Sequence, residues 1–121
     1  MVFIGICLLT DDVPRLRDFF TNIFNAAFDG DEIFSLVKVK GAILSICSTD
    51  VMEEMAPDSM SGAGNGNFTI EVEVDEVDKI YEELMHSDVL IVKKPTTQLW
   101  GRRSLWIRDP DGNIVNLFCK V

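Results

Sequence analysis

Two stretches of this chain, sixty-four positions apart, read alike, and that self-likeness limits the fold more than any other feature. Val13, Leu16 and Phe20 line up with Val77, Ile80 and Leu84. Both sets recur at helical spacing, and both follow an apolar run and acidic residues suited to capping a helix. With 121 residues there is room for one ordinary domain but not for two independent cores. The simplest reading is one unit used twice, neither copy able to cover its own sheet alone.

Each copy reads as β-α-β-β-β, an α+β arrangement. Residues 1–9 form an apolar strand that ends at Thr10-Asp11-Asp12, where a helix begins, capped by Asp11 or Asp12, with Pro14 in its first turn. Residues 25–31 are a turn-rich exit. Residues 33–39 and 42–47 are strands joined at Lys40-Gly41. Residues 48–67 change character: Met52 to Met55 form one helical turn before Pro57, and Ser61-Gly62-Ala63-Gly64-Asn65-Gly66-Asn67 is a flexible connector. The single domain 1–121 therefore divides into module one at 1–50, a linker at 51–66 and module two at 67–121.

From Phe68 to Val74 apolar and polar residues alternate strictly. Phe68, Ile70, Val72 and Val74 share one face, while Thr69, Glu71 and Glu73 share the other. Asp75 starts a helix with an apolar stripe of Val77, Ile80, Tyr81 and Leu84. Strands at 89–92, 104–107 and 114–119 follow, the last two joined by Asp109-Pro110-Asp111-Gly112-Asn113, in which proline and glycine suit a tight turn.

Charge and composition narrow the function classes. Twenty acidic against eleven basic residues give a net charge of −9, which disfavours nucleic acid and anionic membrane surfaces and attracts cationic small molecules. Charged residues interrupt every apolar run before membrane-spanning length. The first residues lack a basic lead-in and read as a strand rather than a secretory signal. Cys7, Cys47 and Cys119 show neither a paired framework nor zinc-knuckle spacing, so a reducing cytoplasm is expected.

Trp100-Gly101-Arg102-Arg103, followed by Ile107-Arg108-Asp109-Pro110-Asp111-Gly112-Asn113, resembles the W-G-x-R … DPDGN ending of bleomycin-resistance-like members of the vicinal oxygen chelate superfamily. That superfamily also includes glyoxalase I, extradiol dioxygenases and fosfomycin-resistance enzymes, and the likeness covers nearly the whole chain. The resemblance implies that the two modules curve into a mainly antiparallel eight-stranded cup, completed across a homodimer.

Metal-using members hold an ion with one ligand from each of four cup-lining strands. Those positions fall here on Gly5, Leu44 or Ser45, Thr69 and Asn116, none of them a usual donor, and the one histidine, His86, sits near a helix end. A set of Cys7, Glu71 and Glu73 is a non-standard alternative. The expectation is no metal, no cofactor and no assigned catalytic residue. Without a Lewis acid the reactions of the superfamily lose their electrophile.

Strand parity carried through this layout lines the concave face with Cys7, Leu9, Leu44, Ile46, Glu71, Glu73, Trp106, Asn116 and Phe118. Trp100 forms one wall of the mouth, and Arg102 or Arg103 meets either an anionic part of the ligand or a surface carboxylate. The expected function is metal-independent binding of a small hydrophobic or cationic organic molecule, antibiotic sequestration being one form. A glyoxalase-like lyase or isomerase with a non-standard or absent metal site is the alternative. An assembly or regulatory module with a closed cup is a third reading.

Overall fold

The computed structural model describes residues 1–64 and 66–121; Asn65, in the expected flexible connector, lies outside them. Among the described residues there are eight strands and three helices, in the order β1 (Gly5–Thr10), α1 (Val13–Phe24), β2 (Asp29–Gly30), β3 (Phe34–Val39), β4 (Ala42–Ser48), α2 (Thr49–Met55), β5 (Thr69–Glu73), α3 (Val77–Leu84), β6 (Ile91–Thr97), β7 (Arg102–Arg108) and β8 (Ile114–Lys120). They make two four-stranded mixed sheets, ordered β1-β4-β3-β2 and β5-β8-β7-β6. The chain divides into two compact units, Met1–Ala63 and Gly64–Val121. No described helix is long and apolar enough to cross a membrane.

In the first unit α1 forms because Asp12 accepts a hydrogen bond from the Arg15 amide at 3.1 Å and Pro14 occupies the first turn. Its buried stripe is Val13, Leu16 and Phe20, and Leu8, Val37, Leu44 and Ile46 of the sheet are buried with it. Each such side chain stabilises the fold by about 1.5–3 kcal/mol when fully withdrawn from water. Phe20 also meets Phe19 edge-on at 5.1 Å.

Strand β1 runs parallel to β4, which pairs antiparallel with β3 across a two-residue turn. Lys40 and Gly41 in that turn have φ of 45° and 92°. Positive φ at both places is the mirror-image turn whose twist matches the strands, so the expected hairpin is present. Strand β2 stands inside the stretch read as a turn-rich exit. It is only two residues long and is positioned by Asp31, whose carboxylate accepts from the amides of Ile33 and Phe34 at 2.9 and 3.0 Å. Those two bonds hold the Asp31 carboxyl below the usual carboxylate range. Helix α2 follows β4 directly and spans seven residues instead of the one turn expected.

The second unit repeats the plan. In β5, Ile70 is buried and Thr69, Glu71 and Glu73 are exposed, as the alternation requires. Helix α3 buries Val77 fully, and the covered face of the sheet buries Leu105, Ile107, Val115 and Leu117 to 1% exposure or less. Glu76, not Asp75, occupies the position before α3, and it makes no side-chain capping bond. Strand β6 runs past the expected 89–92 through Lys93, Lys94 and Pro95. It is an edge strand whose register shifts between Lys93 and Thr96, the setting in which a residue without an N–H is tolerated.

The turn at 109–113 is built around Asp109. Its carboxylate accepts from the amides of Asp111 and Asn113 at 3.0 and 2.8 Å and from Asn113 Nδ2 at 2.8 Å. Burial nevertheless pushes the Asp109 carboxyl above its ordinary value, outweighing the hydrogen bonds that favour its charged form.

Candidate functional site

Because α3 covers one face of the second sheet, period two sends the intervening residues to the opposite face. There the register lays one row across all four strands: Glu71 on β5, Asn116 on β8, Trp106 on β7 and Lys93 on β6. The neighbouring row is Glu73, Phe118, Ser104 and Thr96. Over these rows lies a cavity of about 270 Å³ lined by Glu71, Lys93, Gln98, Trp100, Arg102, Ser104, Trp106 and Asn116.

Trp100 sits in the turn between β6 and β7, which is closed by hydrogen bonds from Gln98 N to Arg102 O at 2.7 Å and from Gly101 N to Gln98 O at 3.2 Å. Gly101 supplies the positive φ of 86° that this turn requires, and Trp100 remains 72% exposed beside the cavity.

The charges around the cavity are partly engaged. Lys93 Nζ lies 4.8 Å from the Trp106 ring centroid and donates to Ser104 Oγ at 3.2 Å. Arg102 stacks 4.0 Å from the Phe118 centroid and pairs with Glu71 at 3.6 Å. Lys120 pairs with Glu73 at 3.7 Å. Among the described residues that line the cavity, two buried polar atoms have no hydrogen-bond partner: Trp106 Nε1, a donor, and Asn116 Oδ1, an acceptor. Both side chains line the cavity, and buried groups left unpaired are rare in folded proteins.

Arg103 points to the other face. Its guanidinium forks onto Asp78 of α3 with two bonds of 2.8 Å and donates to Thr97 Oγ1 at 3.0 Å. That pairing holds the Asp78 carboxyl below the usual range. Of the two arginines expected to meet either a ligand or a carboxylate, Arg102 lines the cavity and Arg103 serves as a surface ion pair.

Four of the anticipated site residues, Glu71, Trp100, Trp106 and Asn116, come together at the cavity. Glu73 and Phe118 share the same sheet face one row along, with Phe118 only 6% exposed beneath Arg102. Cys7 is exposed on the first sheet, where its cross-strand partner is Ser45. Leu44 pairs with Ile6 and is buried on the opposite face from Cys7, together with Ile46, the cross-strand partner of Leu8. That face carries Ser35, whose hydroxyl accepts from Arg17 of α1. The expected grouping of Leu44 and Ile46 with Cys7 and Leu9 is thus corrected by a one-residue difference in the β1–β4 register, which reverses parity along a strand.

Sequence reasoning missed Lys93, Gln98 and Ser104 as cavity residues. Ser104 was within reach of parity, since it stands two residues before Trp106 on one strand. Lys93 lies just past the strand expected at 89–92, which the structure extends to Thr97.

The positions where the resembled superfamily holds an ion do not fit one here. A side chain at Gly5 would place its Cβ 1.9 Å from the backbone oxygen of Ile43. Asn116 offers a carboxamide and Thr69 a hydroxyl, and the one carboxylate of the cavity is already on a guanidinium. Among the described residues no three His, Cys, Asp or Glu side chains gather as a metal site.

Comparison with known proteins bears on the whole chain. The family model described as Glyoxalase/Bleomycin resistance protein/Dioxygenase superfamily matches residues 3–117. The chain is 23% identical to the uncharacterized protein YraH of Bacillus subtilis (strain 168), over 98% of each. Among solved structures, a glyoxalase/bleomycin resistance protein/dioxygenase family enzyme from Burkholderia phytofirmans PsJN superposes with a TM-score of 0.85 at 16% identity, over 97% of each chain. A glyoxalase/bleomycin resistance protein/dioxygenase from Nocardioides superposes with a TM-score of 0.80 at 19% identity, over 100% of this chain and 84% of that one.

Proposed function

Given that the chain belongs to the Glyoxalase/Bleomycin resistance protein/Dioxygenase superfamily, we propose that it binds a small flat organic molecule, without a metal ion, in the cavity of its second unit. The observation that carries this reading is the pair of unpartnered buried atoms, Trp106 Nε1 and Asn116 Oδ1, beneath a cavity walled by two indoles. An unsatisfied buried donor or acceptor costs about 1–3 kcal/mol, which an occupant with the complementary groups recovers. Stacking area from Trp100 and Trp106 supplies the apolar part of the affinity.

The local charge modifies the expectation drawn from composition. A net charge of −9 favours a cation, but the cavity carries Lys93 and Arg102 against Glu71 alone. Of the hydrophobic or cationic molecule expected from the sequence, the hydrophobic alternative is retained and the cationic one is not. In the bleomycin-resistance-like branch that the Trp100 and Asp109 segments resemble, such binding is stoichiometric sequestration, and an antibiotic is one compound class that fits it. A homodimer in a reducing cytoplasm is part of this proposal. The lyase or isomerase alternative is less well supported, because the cavity offers no set of donors to grip a divalent ion.

A thermal-shift screen of one- and two-ring aromatic compounds in the presence of a chelator tests the reading. A binder at about one hundred times its Kd should stabilise the fold by about 2.7 kcal/mol. Trp106→Phe, which keeps the ring and removes the donor, should weaken that binder by about five- to tenfold. A tightly held stoichiometric divalent ion whose removal abolishes binding would overturn it.

A further inference from the structure

The row across the second sheet is ordered by hydrogen-bonding character. Glu71 and Asn116 present acceptor oxygens on β5 and β8, and Trp106 and Lys93 present donors on β7 and β6. Lys93 Nζ has three hydrogens, one of which goes to Ser104, and among the described residues no carboxylate pairs with it. Ser104, accepting from Lys93, keeps its own hydroxyl hydrogen to donate. Ammonium, hydroxyl and indole therefore all border the cavity from β6 and β7, and the indole N–H is unpartnered and buried.

Resting on the binding reading above, we infer that the occupant is a planar organic oxyanion, an aromatic carboxylate being the simplest case. Its charged oxygens sit against Lys93, Ser104 and Trp106 Nε1, and a hydroxyl or N–H at its far end donates to Asn116 Oδ1. Neighbouring strands lie about 4.8 Å apart, so the backbones of Lys93 on β6 and Asn116 on β8, two strands apart, are separated by about 10 Å, a span that suits a one- or two-ring scaffold.

The protein's overall negative charge does not oppose this. At physiological ionic strength the screening length is about 8 Å, so exposed carboxylates elsewhere act weakly at the cavity. The two carboxylates on this face of β5, Glu71 and Glu73, are each paired with a cation, Arg102 and Lys120. A cationic ligand would instead be repelled by the Lys93 ammonium that borders the cavity.

The test uses three matched probes on the full chain: 6-hydroxy-2-naphthoate, its neutral primary amide and its aminomethyl cation. Affinity is read by calorimetry, and the Trp106 indole N–H by NMR, assigned with Trp100→Phe. The carboxylate should bind at least tenfold tighter than either analogue and should shift the Trp106 indole resonance. Lys93→Gln should remove most of that preference. Independently of any variant, raising the salt concentration should weaken the carboxylate and leave the amide unchanged. If all three bind but the amide or the cation equals or exceeds the carboxylate, the oxyanion is overturned and the cavity reading stands. If none binds, the cavity reading itself fails and this inference falls with it.

Discussion

The two units share a strand order and a pairing pattern, yet the sheet faces turned away from α1 and α3 carry unrelated chemistry. In the second unit one row reads Glu71, Asn116, Trp106 and Lys93. The corresponding row of the first unit, through β1, β4, β3 and β2, reads Cys7, Ser45, Leu36 and Asp29. Under the helices the units stay alike: Leu8, Val37, Leu44 and Ile46 in one answer to Ile70, Leu105, Ile107, Val115 and Leu117 in the other. Packing against a helix tolerates only apolar side chains of fitting volume, a constraint the opposite face does not carry. A repeated scaffold thus keeps its core on one side and differentiates on the other.

The covered sides are not equally well filled, and substitution there should give the largest effect. Helix α1 buries Val13, Leu16 and Phe20 completely or nearly so, while α3 buries only Val77 to that degree. Phe20→Ala should cost about 3–5 kcal/mol in urea unfolding, and Leu84→Ala distinctly less, about 2 kcal/mol. Equal costs would break the contrast between the helices.

The hairpins differ in the next rank of effect. The β7–β8 turn hangs on a buried carboxylate, whereas the β3–β4 turn is held by backbone conformation alone. Asp109→Ala should destabilise by about 1–3 kcal/mol, because two backbone amides and the Asn113 side chain lose their acceptor. A loss under half a kcal/mol by the same measurement would remove the distinction. The smallest effect should come from Lys40→Asn, which places at a φ of 45° a residue that tolerates it and should raise stability by about 0.5 kcal/mol. A fall in melting temperature would show that the Lys40 side chain contributes something its backbone does not reveal.

Much of this architecture is legible in the residue pattern, and the exceptions have physical causes. The alternation from Thr69 to Glu73 announces both the strand and the side on which Glu71 lies, since only one parity can face a helix. The same logic finds Trp106 and Asn116, whose neighbours on either side are apolar and buried. It fails at β2, because two residues carry no period. It fails at Lys93, because the apolar run ends at Val92 and only an edge position, invisible in one dimension, lets the strand continue through Lys93, Lys94 and Pro95. It fails for Leu44, because the alignment of parallel neighbours is set by the crossover through α1 and not by the pattern of either strand. Of the stretch that carries the family resemblance, Asp109 to Asn113 shapes the expected hairpin, while Trp100 and Arg102 line the cavity.

Gly5 carries a consequence for anyone who would redesign this protein. Its backbone lies so close to the Ile43 carbonyl that a methyl group has no space there. Installing an ion-binding histidine at that place is therefore closed to a single codon change, for the adjoining main chain would have to retreat first. Engineering hydrolytic or isomerising chemistry into this scaffold would have to begin by rebuilding a strand pair, and lineages lacking that bare position would make easier starting points.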